Sequence, residues 1–540
     1  MRHAFLVAVV VLGITGAPRA QDSHQHQNGR LGTVTFANSC SAGVQLAFAR
    51  GMALLHSFEF GQAMDAFKTV SDADPSCAIA LWATGLAQWG NPFAGVLRPA
   101  PQLEAGRTAL ERAAAIGAKT PRERDFITAA AALYDRFATV DQRARQLAYR
   151  DAMAALAAKY TDDPEAAAFY ALALAASADP ADKTYVDQLK AGAILEKLWL
   201  SHPEHPGLAH YIIHAYDVPA LAPRAVAAAR RYAAIAPDAP HALHMPSHTF
   251  TRLGYWQDSI DTNILSAAAA RKANAIGEEL HASDYQTYAY LQTGQDAAAR
   301  HVVDSLPEIL SRRAPARASA APPPAGTFAV AAIPARYALE RGAWADAARL
   351  APRATPFPYA DAMTWFARAL GAARMRDLPG ARAAIDELQK SIDRNAEAGE
   401  TYWAEQVTIQ KIAATAWLSL AEGRSADALA AMREAADRED RTEKSAISPG
   451  PLAPARELLG EMLLELKQPK EALAAFQKTM AKEPNRFRAL SGAARAAADA
   501  GDRAAARRYA QQLLVICKDA DAPGRPELQA ARRLAGPSAP

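Results

Sequence analysis

The chain has 540 residues, 50% of them hydrophobic but only 7% aromatic, and a formal net charge of +3. Such a length exceeds one compact core unless the chain is an elongated array, and alanine, the best helix former, dominates the apolar content. The near-neutral balance, without a basic run interleaved with aromatics, predicts no nucleic-acid partner.

Residues 1–20 read as an export leader. Arg2 and His3 precede an apolar run from Ala4 to Ile14, and Ala20 precedes the expected cut. That run is too short to span a bilayer and no later stretch is long enough, so no transmembrane anchor is expected. The reading predicts an exported, soluble protein, periplasmic or extracellular. Residues 21–37 then form a flexible N-terminal segment. The cysteines are Cys40, Cys77 and Cys517. In an oxidising compartment Cys40 and Cys77 are candidates for a disulfide; three separate buried thiols are the alternative.

Beyond this segment an internal period organises the chain. Ala63, Phe67, Val70 and Pro75 are spaced by 4, 3 and 5 residues. The spacing returns at Ala109, Ala113, Ile116, Pro121 and at Ala152, Leu156, Lys159, Pro164. It recurs at Ala191, Leu195, Leu198, Pro203, at Ala225, Ala229, Tyr232, Pro237, and at Ala472, Phe476, Thr479, Pro484. Steps of four and three keep one helix stripe facing a neighbour, and the proline falls past the helix end. The pattern predicts an all-α fold of helical hairpins.

With Gly51 and Leu54 ahead of Ala63, and Gly460 and Leu463 ahead of Ala472, these residues resemble the tetratricopeptide repeat superfamily. The resemblance implies a solenoid or superhelix of about a dozen degenerate units, whose first helices line a concave groove. The segments His241-Ala-Leu-His-Met-Pro-Ser-His248 and Pro449-Gly-Pro-Leu-Ala-Pro-Ala-Arg456 are similar to exported bacterial proteins of this type, of undefined activity. A Pro- and Ala-rich linker or loop at 311–327, including Pro322-Pro323-Pro324, divides an N-terminal array (38–310) from a C-terminal one (328–520). Residues 521–540 read as a flexible tail.

Two histidine pairs coincide with the period. His210 and His214 lie 15 and 11 residues before Ala225, and His244 and His248 lie 15 and 11 before Ser259. Asp284 and Tyr288 hold the same places before Ala299, and His241 and His281 each lie 18 before their markers. Residues four apart share a helix face, so three successive first helices offer imidazoles side by side. The four paired histidines are candidate metal ligands, and imidazole suits zinc, copper, iron or nickel. His241, His281, Asp284 and Tyr288 are candidate groove or ligand-binding residues. Arg336, 11 before Ala347, is a candidate anion-binding group at the same register. Asp217, three residues after His214, is placed to orient an imidazole or to end a helix. Pro246 either kinks its helix or opens it. The segment from Asp437 to Pro451 is long enough to fold over the groove.

No His-Glu-x-x-His, Gly-x-Ser-x-Gly or phosphate-binding loop occurs, so no catalytic class is specified. The favoured expectation is a binding scaffold whose histidine-rich groove takes a peptide, protein or small ligand. The alternative is a metal-dependent, hydrolase-like enzyme or a metal-handling protein built on the two pairs.

Overall fold

The structure is a computed structural model and describes residues 30–94, 96–312 and 323–536; the leader at 1–20 lies outside them. The described residues form helices from Gln45–His56 to Pro526–Ala535 with no β-strand among them. Each helix packs on its successor, and the first helix of one hairpin stacks on the first helix of the next. This is the helical-hairpin array that the spacing predicts.

Close helix approach explains the small residues of the repeat. A Cβ on Gly51 would lie 2.7 Å from the Phe67 ring, and one on Gly460 would lie 2.8 Å from the Phe476 ring. Ala63, Phe67 and Val70 are fully buried, as are Ala472 and Phe476. Proline opens the Pro164–Ala176 and Pro206–Ala215 helices, where its missing N–H is one that the first turn leaves unpaired in any case.

Two apolar cores result, one drawn from residues between Leu31 and Phe250 and the other from Ala325 to Ala535. The Ile276–Gln292, Asp296–Ser311 and Pro323–Glu340 helices share a smaller cluster that includes Leu280, Leu306 and Ile333. Packing therefore continues across the predicted linker. Residues 313–322 lie outside the described ones, and residues 323–327 belong to a helix rather than to a linker.

Both halves curl until their ends meet. The Pro206–Ala215 helix packs back on Gln45–His56, and the Phe487–Asp499 helix packs back on Ile276–Gln292. The expected open groove is consequently filled by the chain itself. Trp256 Nε1 donates to the Asn485 carbonyl at 2.7 Å, and the Arg525 guanidinium pairs with Asp296.

The two predicted flexible ends need correction where they are described. Leu31, Val34 and Phe36 are buried, and Thr33 N–H donates to the Glu204 carbonyl at 2.9 Å, so 30–37 is tied to the array. The Pro526–Ala535 helix buries Leu528, Ala531 and Ala535 against the preceding helices. In each case a few apolar residues at helical or alternating spacing were enough to dock a short segment.

Cys40 and Cys77 form a disulfide with Cα atoms 4.8 Å apart across 37 positions, and Cys517 is free and buried. Closing a loop of that length stabilises a fold by about 4 kcal/mol in the chain-entropy description. The Cys40→Ala, Cys77→Ala variant is expected to lose about that much in urea denaturation; a loss under about 1 kcal/mol would refute the assignment.

Candidate metal centre

Six histidines converge between the two curled halves, and all are at most 8% exposed. His210 and His214 lie one turn apart on the Pro206–Ala215 helix. His241 and His244 lie on Pro240–His244, His248 on Pro246–Leu253, and His281 on Ile276–Gln292. They form two sets: His210, His214 and His241, and His244, His248 and His281, each with one ring nitrogen per residue within 4.8 Å of the others.

Pro246 explains how one short segment serves both sets. Met245 keeps a helical conformation (φ −55, ψ −35) and donates to the His241 carbonyl at 2.9 Å. Pro246 has no N–H to continue the ladder, so the helix divides there. His241 turns toward His210, at 5.0 Å between ring centroids, while His244 turns toward His281, at 4.4 Å. The expectation that Pro246 opens a helix holds, since Pro246–Leu253 starts there with Met245 at its N-cap, but His241 and His244 sit on the short helix before it rather than on a loop.

Hydrogen bonds fix which ring nitrogen carries each proton. His248 Nδ1 faces Asp217 Oδ2 at 2.9 Å, and a carboxylate only accepts, so Nδ1 donates. His244 Nδ1 faces Asn263 Oδ1 at 2.7 Å, while the Asn263 amide nitrogen donates to the Ser259 carbonyl and sets the amide orientation. His210 Nδ1 donates to the His56 carbonyl at 2.7 Å. The Nε2 atoms of all three rings therefore carry lone pairs. His244 Nε2 and His248 Nε2 face each other at 3.2 Å, two acceptors with no proton between them. Two ligands ~2.0–2.1 Å from one tetrahedral ion stand roughly 3.3 Å apart.

The Nε2 atoms of the first set lack partners outright, whereas His248 Nε2 also has the Tyr285 hydroxyl at 3.4 Å. His210 Nε2, His214 Nε2 and both ring nitrogens of His241 are buried without a hydrogen-bond partner, as is His281 Nδ1 in the second set. Such orphans are rare in native interiors. Burial, with the neighbouring imidazoles adding to it, holds these histidines neutral. His210 and His281 are lowered to about 3, and His214, His241 and His244 fall well below the ordinary value. Burial also lowers His248, although Asp217 opposes it. Neutral imidazole is the form that binds metal.

Aromatic rings and one charged cluster enclose the site. Phe93 stacks on His214 at 4.1 Å, Phe58 meets His210 edge-on at 4.3 Å, and Tyr285 lies against His244 at 4.8 Å. Asp217 accepts from Arg252 Nε at 2.9 Å and from Lys444 Nζ at 3.2 Å. Burial alone would raise the Asp217 carboxyl, but Lys444 and Arg252 hold it well below the usual range. Burial lowers Lys444 to about 8. Lys444 lies on the segment read as a cover, and Tyr285 donates to the Ser448 carbonyl of the same segment at 3.2 Å.

A second layer stands behind His210. Glu165 accepts from His56 Nε2 at 3.0 Å and His205 Nε2 at 3.1 Å, and His56 Nδ1 meets the Tyr211 hydroxyl at 2.9 Å. Both carboxylate oxygens are thus engaged, and this trio positions the His56 carbonyl rather than offering a free ligand set. Nearby, Glu59 accepts from the His241 backbone N–H at 3.1 Å. Burial, then the Glu278 carboxylate, raises Glu59 to about 8. A carboxyl raised on folding stabilises below its unfolded value near 4.5, and that contribution is lost as pH rises toward 8. Glu59→Gln keeps the acceptor and removes the ionisation, so it should stabilise the protein at pH 8 by on the order of 2–4 kcal/mol and by almost nothing at pH 4. Equal effects at the two pH values, in urea titrations, would contradict this.

The remaining sequence candidates do not join the histidines. Asp284 pairs with Arg336 Nε at 2.8 Å, and Arg336 also donates to the Pro451 and Gly450 carbonyls at 3.0 and 2.9 Å. Arg336 is wholly buried with its donors engaged, so it is no groove anion site. Tyr288 donates to Glu483 and accepts from Arg486 Nη1 at 2.7 Å. The helical register was right for these residues, but segments 448–451 and 483–486 occupy the space they face. Sequence reasoning missed His56, Glu165, His205, Phe58, Asn263, Tyr285 and Lys444. Only Tyr285 carried a signal, one turn after His281 on the same face.

No family model and no curated protein matches the chain. Solved structures with similar arrangements include a human IFIT1 dimer with m7Gppp-AAAA, at 12% identity and TM-score 0.37, covering 81% of this chain and 90% of that one. A monomeric IFIT1 mutant with Gppp-AAAA gives 12% identity and TM-score 0.38, covering 88% of this chain and 97% of that one. Among the described residues no helix is long and apolar enough to cross a membrane. The described residues form an all-α array of helical hairpins, curled around a buried double set of three histidines.

Proposed function

We propose that this protein binds transition-metal ions on the two tri-histidine sets and serves as a metal-dependent or metal-handling protein. The observation that carries the reading is the pair of unprotonated nitrogens, His244 Nε2 and His248 Nε2, facing each other at 3.2 Å. Lone pairs opposed in a dry interior repel unless a cation lies between them. The outer contacts support it too: carboxylate, amide and carbonyl oxygens hold the far nitrogen of His248, His244 and His210, as around metal-bound imidazoles. A peptide lying in an open groove fits less well, because the histidines are buried beneath the chain's own segments. Export through the predicted leader accords with the Cys40–Cys77 bridge, since disulfides persist in oxidising compartments.

The test is metal content by mass spectrometry, on the protein as purified and after stripping and reloading with zinc, copper, iron or nickel. Wild type should hold at least one equivalent after dialysis, and His214→Ala with His248→Ala should hold almost none. Wild type that retains no metal from any of the four would overturn the reading. So would a double variant that retains the wild-type amount.

A further inference from the structure

The two tri-histidine sets stand side by side. We propose that they form one dinuclear copper centre, with the ions close enough to share a single bridging hydroxide. This rests on the metal-binding reading above and adds the number of ions, their coupling and their identity.

The geometry of the rings carries the pairing. Within the first set the widest centroid separation is His214 to His241, 6.5 Å, and within the second it is His248 to His281, 6.4 Å. Between the sets, His214 lies 6.1 Å from His248 and His241 lies 6.2 Å from His244. The gap between sets is no wider than the spread inside either one. Two ions, each ~2.0–2.1 Å from its three nitrogens, then share one cage, at a spacing on the order of the 3.5–4 Å of two-metal sites. His241 is the hinge of the arrangement. Both its nitrogens lack partners, and its ring touches members of both sets.

The donor set selects the metal. All six candidate ligands are neutral imidazoles, and no carboxylate belongs to either set. The carboxylate bonded to a ring of the cage, Asp217, is already shared among His248, Arg252 and Lys444. A buried pair of bare divalent ions would add four positive charges beside Arg252 and Lys444, whose own charges already engage Asp217 and Glu443. Uncompensated buried charge is strongly unfavourable. Copper answers this in both of its oxidation states. As Cu(I) each ion brings one charge, and imidazole suits it. As Cu(II) it heads the affinity order for nitrogen sites, and a bridging hydroxide lowers the net charge. That hydroxide forms when a bound water releases one proton to solvent; no electron is transferred. Zinc lacks the monovalent option, and iron and nickel stand below Cu(II) in affinity.

The experiment loads metal-free full-length protein with Cu(II) and compares copper by mass spectrometry with unpaired spin by quantitative electron paramagnetic resonance. Two Cu(II) ions joined by one hydroxide couple their spins, so the expected result is two coppers per chain with an integrated spin under about a tenth of the copper. His281→Ala, checked for helicity by circular dichroism, should hold one copper with a full spin. Two coppers with full spin in wild type would leave the tri-histidine reading standing and overturn the pair. One copper per chain, or binding of zinc but not copper, would do the same. No binding of any of the four metals would overturn both.

Discussion

Asp217→Asn is expected to lower metal affinity about 10- to 100-fold, the usual effect of removing an outer partner of a metal-bound imidazole. Asp217 Oδ2 fixes the His248 Nδ1 proton, and Oδ1 accepts from Arg252. Asparagine offers one acceptor oxygen and one amide group, so it cannot serve both. If the amide faces His248 it donates toward Nδ1, and the ring must then move its proton to Nε2, the nitrogen that faces His244. The substitution also leaves Arg252 and Lys444 buried with less compensating charge, 4% exposed in each side chain. Breaking such a pair typically costs about 3–5 kcal/mol, with Glu443, 3.9 Å from Arg252, offsetting part of it. Competition against a chelator gives the affinity, and urea denaturation of the metal-free protein gives the stability. An unchanged affinity beside a lowered stability would show that Asp217 is structural only.

Arg486→Met should destabilise the metal-free protein by about 3–5 kcal/mol without altering the metal stoichiometry. The guanidinium is fully buried and forks onto Glu457, with Nε–Oε2 and Nη2–Oε1 both at 2.9 Å. It also pairs with Glu340 and donates to the Tyr288 hydroxyl at 2.7 Å. Four helices or their entrances meet there, and the contact of Phe487–Asp499 with Ile276–Gln292 closes the C-terminal half. Removing the arginine takes from Glu340 and Glu457 the donor both share and leaves them close together in the interior, with Arg488, 3.9 Å from Glu457, offsetting part of the loss. Protonating them relieves that cost, so the destabilisation should shrink between pH 8 and pH 5 when wild type and variant are compared at each pH. A loss under about 1 kcal/mol, or one that does not depend on pH, would contradict the role given to this cluster.

How far the sequence could be read follows from what a repeat encodes. A period of four and three reports contacts between a helix and its immediate neighbours. Ala63, Phe67, Ala472 and Phe476 lie buried where that period puts them. The third position was less reliable, since Ile116 and Lys159 are exposed at the ends of their helices. Register likewise marked His210, His214, His244 and His248, but the structure divides them two and two between sets that His241 and His281 complete. Register could not show that Pro206–Ala215 returns to Gln45–His56, a contact across more than a hundred residues that adds His56, Phe58 and Glu165 to the surroundings of His210. Arg336 and Asp284 show the same limit. Each occupies the predicted helical register, yet they pair with one another because the segment at 448–451 fills the groove they would have lined. Local spacing fixes which face a residue shares; distant closure decides what stands opposite.

Anomalous X-ray scattering from crystals of the copper-loaded protein tests most directly whether metal sits at these six imidazoles. Data collected on either side of the copper absorption edge should show two peaks. One should lie among His210, His214 and His241, and the other among His244, His248 and His281. Absence of both peaks in crystals that hold copper, or a peak only at His56, Glu165 and His205, would contradict that placement.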